Sequence, residues 1–167
     1  MTWRGTTTAQ DRFFACLPYL LPLIKVSLLG MFFADRAGIG LFAQFPALQL
    51  ILEPLNPLVN IYRGFPFAGL IVFILLLTLV VRNTNISHFI RFNTMQAILL
   101  GIVLILGQII LSMVLVPALG TGLFVDTILN VILLGILGAI VYSVVQTVRG
   151  QYAEIPTLSE AVYMQVR

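Results

Sequence analysis

The segment "SHFIRFNTMQAILLGIVLIL", from Ser87 to Leu106, joins a polar start to an unbroken apolar run. No polar side chain occurs between Ala97 and Leu106, and the sequence stays mostly apolar as far as Val116. A helix needs about 20 mostly apolar residues to cross the hydrocarbon core of a bilayer. The segment therefore predicts a membrane-spanning helix over residues 89–116.

The composition of the whole chain leads to the same class of protein. Of 167 residues, 60% are hydrophobic and 9% are charged, and the mean hydropathy is +1.07. Soluble domains carry about 25% charged residues, so we expect an integral membrane protein. The net charge of +3 is spread along the chain and gives no sign of nucleic-acid binding. The single cysteine, Cys16, excludes an intramolecular disulfide and a cysteine-based metal site, and no cofactor is expected.

Three further apolar runs predict spanning helices over residues 13–33, 65–81 and 123–148. The expected fold is therefore an all-α polytopic membrane protein, with four transmembrane helices in one domain over residues 1–167. Pro18 and Pro22 lie inside the first run and predict a kink there.

Two short helices are predicted outside the spans. In the first connection, residues 46–52 read as a helix that is stopped by Glu53 and Pro54 and lies in the membrane interface. A plain loop is the alternative. After the fourth span, Thr157 and Glu160 match a capping box, which predicts a C-terminal helix from Leu158 that rests on the membrane or on the protein.

The distribution of basic residues predicts the orientation, because arginine and lysine favour the cytoplasmic side. With four spans, both termini and the second connection share one side. That side holds Arg4, Arg12, Arg82, Arg91, Arg149 and Arg167, and the other side holds Arg36 and Arg63. Both termini are therefore expected in the cytoplasm or, in a plastid, in the stroma.

Small and polar residues at helical spacing predict a helix–helix seam, because helices in lipid associate through close packing and shared hydrogen bonds. The third span contributes Asn93, Ala97, Gly101, Leu104, Gln108 and Ser112. The fourth contributes Gly135, Gly138, Ala139, Tyr142, Ser143 and Gln146. The alternative is that glycine is simply frequent in membrane helices.

Besides Arg91 at the start of the third span, two charged residues lie inside the predicted spans. Lys25 is in the first span, and Asp126 is one turn into the fourth. A charge in hydrocarbon is costly, so we predict either that the two pair with each other or that both line a wet cavity. Alternatively, Lys25 reaches the far headgroups and Asp126 caps its own helix.

The polar start of the third span has a physical explanation. Ser87 is a plausible helix cap, and His88, Arg91 and Phe92 are expected to anchor the helix at the headgroup level. Asn93 and Gln96 then point inward, where only another helix or water can satisfy them.

Three segments carry a family resemblance: "YRGFPFAGLIVF", "ISHFIRFNTMQAILL" and "VRGQYAEIPTLSEAVYMQV". Together they resemble the twenty-kilodalton (Tic-twenty) subunit family of the chloroplast inner-envelope protein translocon, from about residue 54 to the C-terminus. The resemblance implies four membrane helices, both termini in the stroma or cytoplasm, and a role in protein import together with other subunits. It implies no catalytic residues. Because the N-terminus lacks the features of a transit peptide, a cyanobacterial or plastid-encoded member is expected. Its membrane would be the plastid inner envelope or a cyanobacterial plasma or thylakoid membrane.

The function predicted first is therefore a non-enzymatic membrane component of a protein-translocation complex. Its expected partners are other membrane subunits, the bilayer and the translocating polypeptide. The alternative is a structural or assembly subunit of another photosynthetic-membrane complex. A small-solute carrier using Lys25 and Asp126 is less favoured, because the two halves show no repeat. Catalysis is not expected: His88 is the only histidine, and Ser27 points away from Lys25 on a helix.

Overall fold

The computed structural model describes residues 7–156 and 158–166, and in this part of the chain the secondary structure is entirely helical. Thr157, half of the predicted capping box, lies outside the described residues, as do Arg4 and Arg167. The all-α prediction is confirmed. The helices are α1 (Ala9–Ala37), α2 (Leu41–Gln44), α3 (Ala47–Gly64), α4 (Ala68–Val81), α5 (His88–Leu119), α6 (Leu123–Val148) and α7 (Leu158–Gln165).

Helices α1, α5 and α6 are each long and apolar enough to cross a membrane. α1 begins at a capping box in which the Thr8 hydroxyl accepts from the Asp11 amide and the Asp11 carboxylate accepts from the Thr8 amide. It passes Pro18 in a 3-10 turn over Leu17–Tyr19 and ends at Gly38, whose positive φ of 65° closes the helix.

The second predicted span differs from the expectation. α4 is a helix of only Ala68–Val81, about 21 Å long at 1.5 Å per residue. It follows α3 at a bend of 101°, so the described residues contain three spanning helices, or four if the bent pair counts as one.

The helix predicted over residues 46–52 also extends further than expected. The chain makes a 3-10 turn at Glu53–Leu55 and continues as a helix to Gly64. Pro54 and Pro57 do not stop it, because each falls in the first turn of its helical piece, where a missing amide proton costs little.

The core lies where α1 packs against both α5 and α6. It consists mostly of aliphatic side chains, among them Val26, Leu29, Leu104, Leu129 and Leu133, together with the aromatic rings of Tyr19, Phe33 and Phe42. α4 joins this bundle through its C-terminal half, Leu76–Val81, which packs on α5. None of the residues of its first half, Ala68–Leu75, is buried.

Contacts at both ends set the helix directions. At the start of α1, Arg12 Nη1 donates to the carbonyl oxygen of Val148 at 3.4 Å. Beyond its other end, the Gly40 amide donates to the Asp126 carboxylate at 2.6 Å. α1 and α6 are therefore antiparallel, and α5 runs parallel to α1.

Candidate functional site

A buried polar junction joins the three long helices near the start of α5. Asn93 Oδ1 accepts from the Tyr19 hydroxyl at 2.9 Å and lies 2.8 Å from the Thr147 hydroxyl, whose single proton it shares with the carbonyl oxygen of Ser143 at 2.7 Å. Its Nδ2 donates to the carbonyl oxygen of Phe89 at 2.8 Å. One amide thus uses both its acceptor and its donor, and it links α1, α5 and α6 at a single level.

Gln96 adds a second link one turn further along α5. Its Nε2 donates to the Ser143 hydroxyl of α6 at 2.9 Å, and the residue is fully buried. Its Oε1 has no hydrogen-bond partner among the described residues. Since a mispaired amide in a low-dielectric interior is costly, these bonds fix the register of α5 against α6.

The contact surface of α5 follows the predicted seam for about two turns. Ala97, Gly101 and Leu104 are buried against the other helices. Further along, Gln108 is exposed, and the Ser112 hydroxyl donates to the Gln108 carbonyl oxygen of its own helix. The polar residues at this end do not join α5 to α6.

The contact surface of α6 is rotated from the predicted one. Gly135 and Gly138 are exposed, with open space where a side chain would stand, and Ala139 is half-buried. Tyr142 is also exposed, and Gln146 is half-buried with its Oε1 unbonded in the described part of the chain. Of the predicted residues only Ser143 lies on the buried face, where it contacts Gln96 of α5, and the rest of that face consists of Val125, Leu129, Leu133, Ile136, Ile140 and Thr147. The side of α6 that faces α1 and α5 must fill the space between the helices, which requires large aliphatic side chains. The glycines therefore lie on the opposite, exposed side.

Of the three residues predicted as interface anchors, Arg91 and Phe92 are buried and His88 is half-buried. Arg91 is only 8% exposed, and its Nε donates to the carbonyl oxygen of Val81 at 2.8 Å. It therefore satisfies the end of α4, where the last carbonyl groups of a helix lack partners. The sequence does not reveal this, because nothing in it shows that the end of α4 lies beside α5.

Phe92 and His88 form the binding surface for the C-terminal segment. Phe92 is fully buried, with ring centroids of Tyr152 and Tyr163 at 5.0 and 4.9 Å. The His88 ring nitrogens bond with the Tyr152 hydroxyl at 3.0 Å and the Val166 carbonyl oxygen at 3.3 Å. Ser87 caps the helix, as its hydroxyl accepts from the Ile90 amide at 3.4 Å.

Lys25 and Asp126 have different partners and do not meet. Lys25 Nζ donates to the carbonyl oxygen of Gly101 at 3.5 Å. The Asp126 carboxylate accepts from the Gly40 amide at 2.6 Å and from Gln44 Nε2 at 2.7 Å. Lys25 is thus directed across to α5, and Asp126 holds the segment that follows α1.

An open groove of about 930 Å³ separates α1 from α3 and α4. α1 contributes Leu21 and Ile24, α4 contributes Ile71 and Leu76, and α5 contributes Ile90 and Thr94. The remaining walls are also mostly apolar. Within the described residues no group of three His, Cys, Asp or Glu side chains could hold a metal ion.

Comparison with known proteins identifies the family. The chain matches the family described as "Chloroplast import apparatus Tic20-like" over residues 8–162. It is 48% identical over 167 residues to a Tic20 family protein of Synechocystis sp., an alignment that covers 100% of this chain and 99% of the relative. It is 33% identical to the protein TIC 20-II, chloroplastic, of Arabidopsis thaliana, over 96% of this chain and 74% of the relative. The Tic20 family protein Ycf60 of Gracilaria tenuistipitata var. liui is 32% identical, over 95% and 76% of the two chains.

These matches run through all the helices that build the polar junction and the groove. The chain belongs to the Tic20 family, a family of translocon membrane components and not of enzymes.

Proposed function

We propose that this protein is a membrane component of a protein-translocation complex and works there with other subunits. The observation that carries the proposal is the family match over residues 8–162. The geometry is compatible with it, because the polar side chains of the junction serve mainly to join helices and leave no cluster suited to catalysis.

The chain is proposed to cross the membrane four times, with α3 and α4 together forming the second crossing. Arg12 contacts Val148, and Arg91 contacts Val81, so the start of α1 and the ends of α4 and α6 lie at one end of the bundle. α1 leads away from that end and α5 starts from it. Residues 38–87 must therefore return across the bundle, although α4 alone is too short for a core about 30 Å thick.

This topology supports the arginine-based orientation, in which both termini face the cytoplasm or stroma. Arg12 and Arg149 flank the end of the bundle where Arg82 also follows α4. Arg36 lies near the other end of α1. The proposed membrane is the plastid inner envelope or, given the 48% identical Synechocystis relative, a cyanobacterial plasma or thylakoid membrane.

A translocation path is proposed to require further subunits. The groove between α1 and α4 is open on one side, and large apolar side chains stand outward on the spanning helices, such as Met113 at 73% and Val131 at 64% exposed. Three to four helices arranged in this way provide surfaces for lipid and for neighbouring proteins, and no wide aqueous channel within one chain.

Depletion of the protein in its own host, followed by a time course with a radiolabelled precursor, tests the proposal. The early rate of precursor transport should fall while the membrane potential and the resident membrane complexes stay intact. An unchanged early rate would contradict the proposal. Co-purification with a photosynthetic complex, without any transport defect, would instead favour the assembly subunit.

A further inference from the structure

Lys25 is an ammonium group near the middle of α1 that bonds to no carboxylate among the residues the structure describes. Its position, 16 residues after the start of α1 at Ala9, places it about 24 Å along a helix of about 43 Å. Its hydrogen bond goes to the backbone oxygen of Gly101 at 3.5 Å, which carries no formal charge. An ammonium at this depth is costly unless a counter-charge or water accompanies it.

All six side-chain carboxylates lie within residues 7–156 and 158–166, and none of them bonds to Lys25. Asp11 bonds to Thr8, Asp126 to Gly40 and Gln44, and Glu154 to Tyr163. The remaining three are exposed: Asp35 lies two residues before the end of α1, Glu53 in the turn within α3, and Glu160 in α7. None of the six lies near the middle of α1, α5 or α6, so those helices of a second copy would bring no carboxylate to the depth of Lys25.

The open groove ends next to Lys25 along α1, at Ile24, although neither Lys25 nor Gly101 lines it. Leu21 and Thr94 line the groove on α1 and α5. Lys25 follows Leu21 by four residues and Gly101 follows Thr94 by seven, so both continue the same helix faces beyond the groove. The absence of a side chain at Gly101 leaves room for the ammonium, since an added methyl carbon there would lie 2.9 Å from Lys25 Nζ.

The dimensions of the groove fit an α-helix. On α1 the lining residues run from Phe14 to Ile24, which corresponds to about 15 Å of helix. A volume of about 930 Å³ over that length gives a mean cross-section of about 60 Å². A helix about 10 Å in diameter has a cross-sectional area of about 80 Å². The groove therefore has room for most of the cross-section of a helix.

We propose that the groove binds a transmembrane helix of a different, resident subunit, and that one Asp or Glu of this helix pairs with Lys25. Lipid would match the apolar walls, but its charged groups stay at the headgroup level, far from Lys25. A client segment would pass through only briefly, whereas the ammonium needs a counter-charge throughout. The inference rests on the proposed function only in placing this chain in a complex of several subunits.

Photo-crosslinking in native membranes tests the inference. The photo-reactive residue p-benzoylphenylalanine replaces Ile71, which lines the groove and is 50% exposed. The matched control carries it at Leu134 of α6, which is 56% exposed and does not line the groove. Irradiation should give one protein adduct from position 71 and none of the same mass from position 134. Mass spectrometry should place the adduct on a spanning helix that contains a carboxylate.

The ion pair is then tested in the same background. Lys25→Met should lower the yield of the adduct about tenfold, whereas Lys25→Arg, which keeps the charge, should preserve it. Changing the carboxylate of the partner helix to its amide should reproduce the loss. Immunoblotting of the membranes shows whether each variant accumulates to the same level.

Several outcomes would overturn the inference: adducts with lipid only, an adduct with a second copy of this chain, or a yield that Lys25→Met leaves unchanged. None of these readouts depends on transport. If depletion leaves precursor transport unchanged but the adduct forms, the proposed function fails and the binding site stands. If transport depends on the protein but no adduct forms, the binding site fails and the proposed function stands.

Discussion

At the scale of single residues, Asn93 decides how the three long helices meet. It is fully buried, and its side chain contacts the hydroxyls of Tyr19 and Thr147 on the two neighbouring helices while donating one hydrogen bond to its own helix. Replacing it with leucine would leave the Tyr19 hydroxyl buried without its acceptor. An orphaned buried polar group costs about 1–3 kcal/mol.

We therefore expect Asn93→Leu to lower the free energy of unfolding by about 1–3 kcal/mol, measured by denaturation in detergent micelles. Ser112→Ala is the matched control, because that hydroxyl bonds only to the backbone of the same helix; it should cost less than about 0.5 kcal/mol. Equal stability of the wild type and Asn93→Leu would show that the junction does not hold the bundle together.

The inward orientation of Asn93 and Gln96 follows from the sequence, because an amide in a spanning helix needs a partner that lipid does not supply. Their actual partners do not follow from it. Tyr19 lies in an apolar run and Thr147 near the end of another, and only the packing of α1 against both α5 and α6 brings them to Asn93. Arg91 shows the same limit, since its partner is a backbone oxygen that no sequence pattern marks.

Hydrogen bonds connect the segment that follows α1 to the start of α6. The Asp126 carboxylate accepts two hydrogen bonds, from Gly40 and from Gln44. Gly40 has a φ of 91°, and a methyl carbon there would lie 2.8 Å from the Leu129 side chain, so the backbone passes very close to α6. This tie fixes where the chain turns back.

Asp126→Ala should release this turn. Hydrogen bonds to a charged group contribute about 1.5–3 kcal/mol, so amide exchange of residues 38–44 should become about ten- to a hundredfold faster. Hydrogen–deuterium exchange of the protein in lipid nanodiscs measures this rate. Asp126→Asn keeps an acceptor for the Gly40 amide, so exchange of residues 38–44 should become faster by a smaller factor. Unchanged exchange in Asp126→Ala would contradict the tie.

The helices themselves were more predictable than their surfaces. Long apolar runs define α1, α5 and α6 because a bilayer imposes both length and composition on a spanning helix. The first connection was harder to interpret, because its prolines are compatible both with a loop and with new helical starts. The glycines of α6 predicted a contact surface, but Gly135 and Gly138 face outward because the neighbouring space requires Leu133 and Ile136.

The sides of the membrane on which the two ends of the chain lie test the four-crossing topology. An even number of crossings places both ends on one side, whereas three crossings would separate them. Thr8 precedes α1, Glu154 follows α6, and exposed Thr121 lies between α5 and α6. In a Cys16→Ser background, each of these positions receives a single cysteine and is exposed to a membrane-impermeant maleimide in sealed vesicles.

Cysteines at positions 8 and 154 should be labelled from the same side, and the cysteine at position 121 only from the other. The physical reason is that α4, although short, must combine with α3 to bring the chain from the end of α1 at Gly38 to the start of α5 at His88. Permeabilised vesicles should label all three positions, which controls for access. Labelling of positions 8 and 154 from opposite sides would show that residues 38–87 stay at one surface, and the second crossing would have to be abandoned.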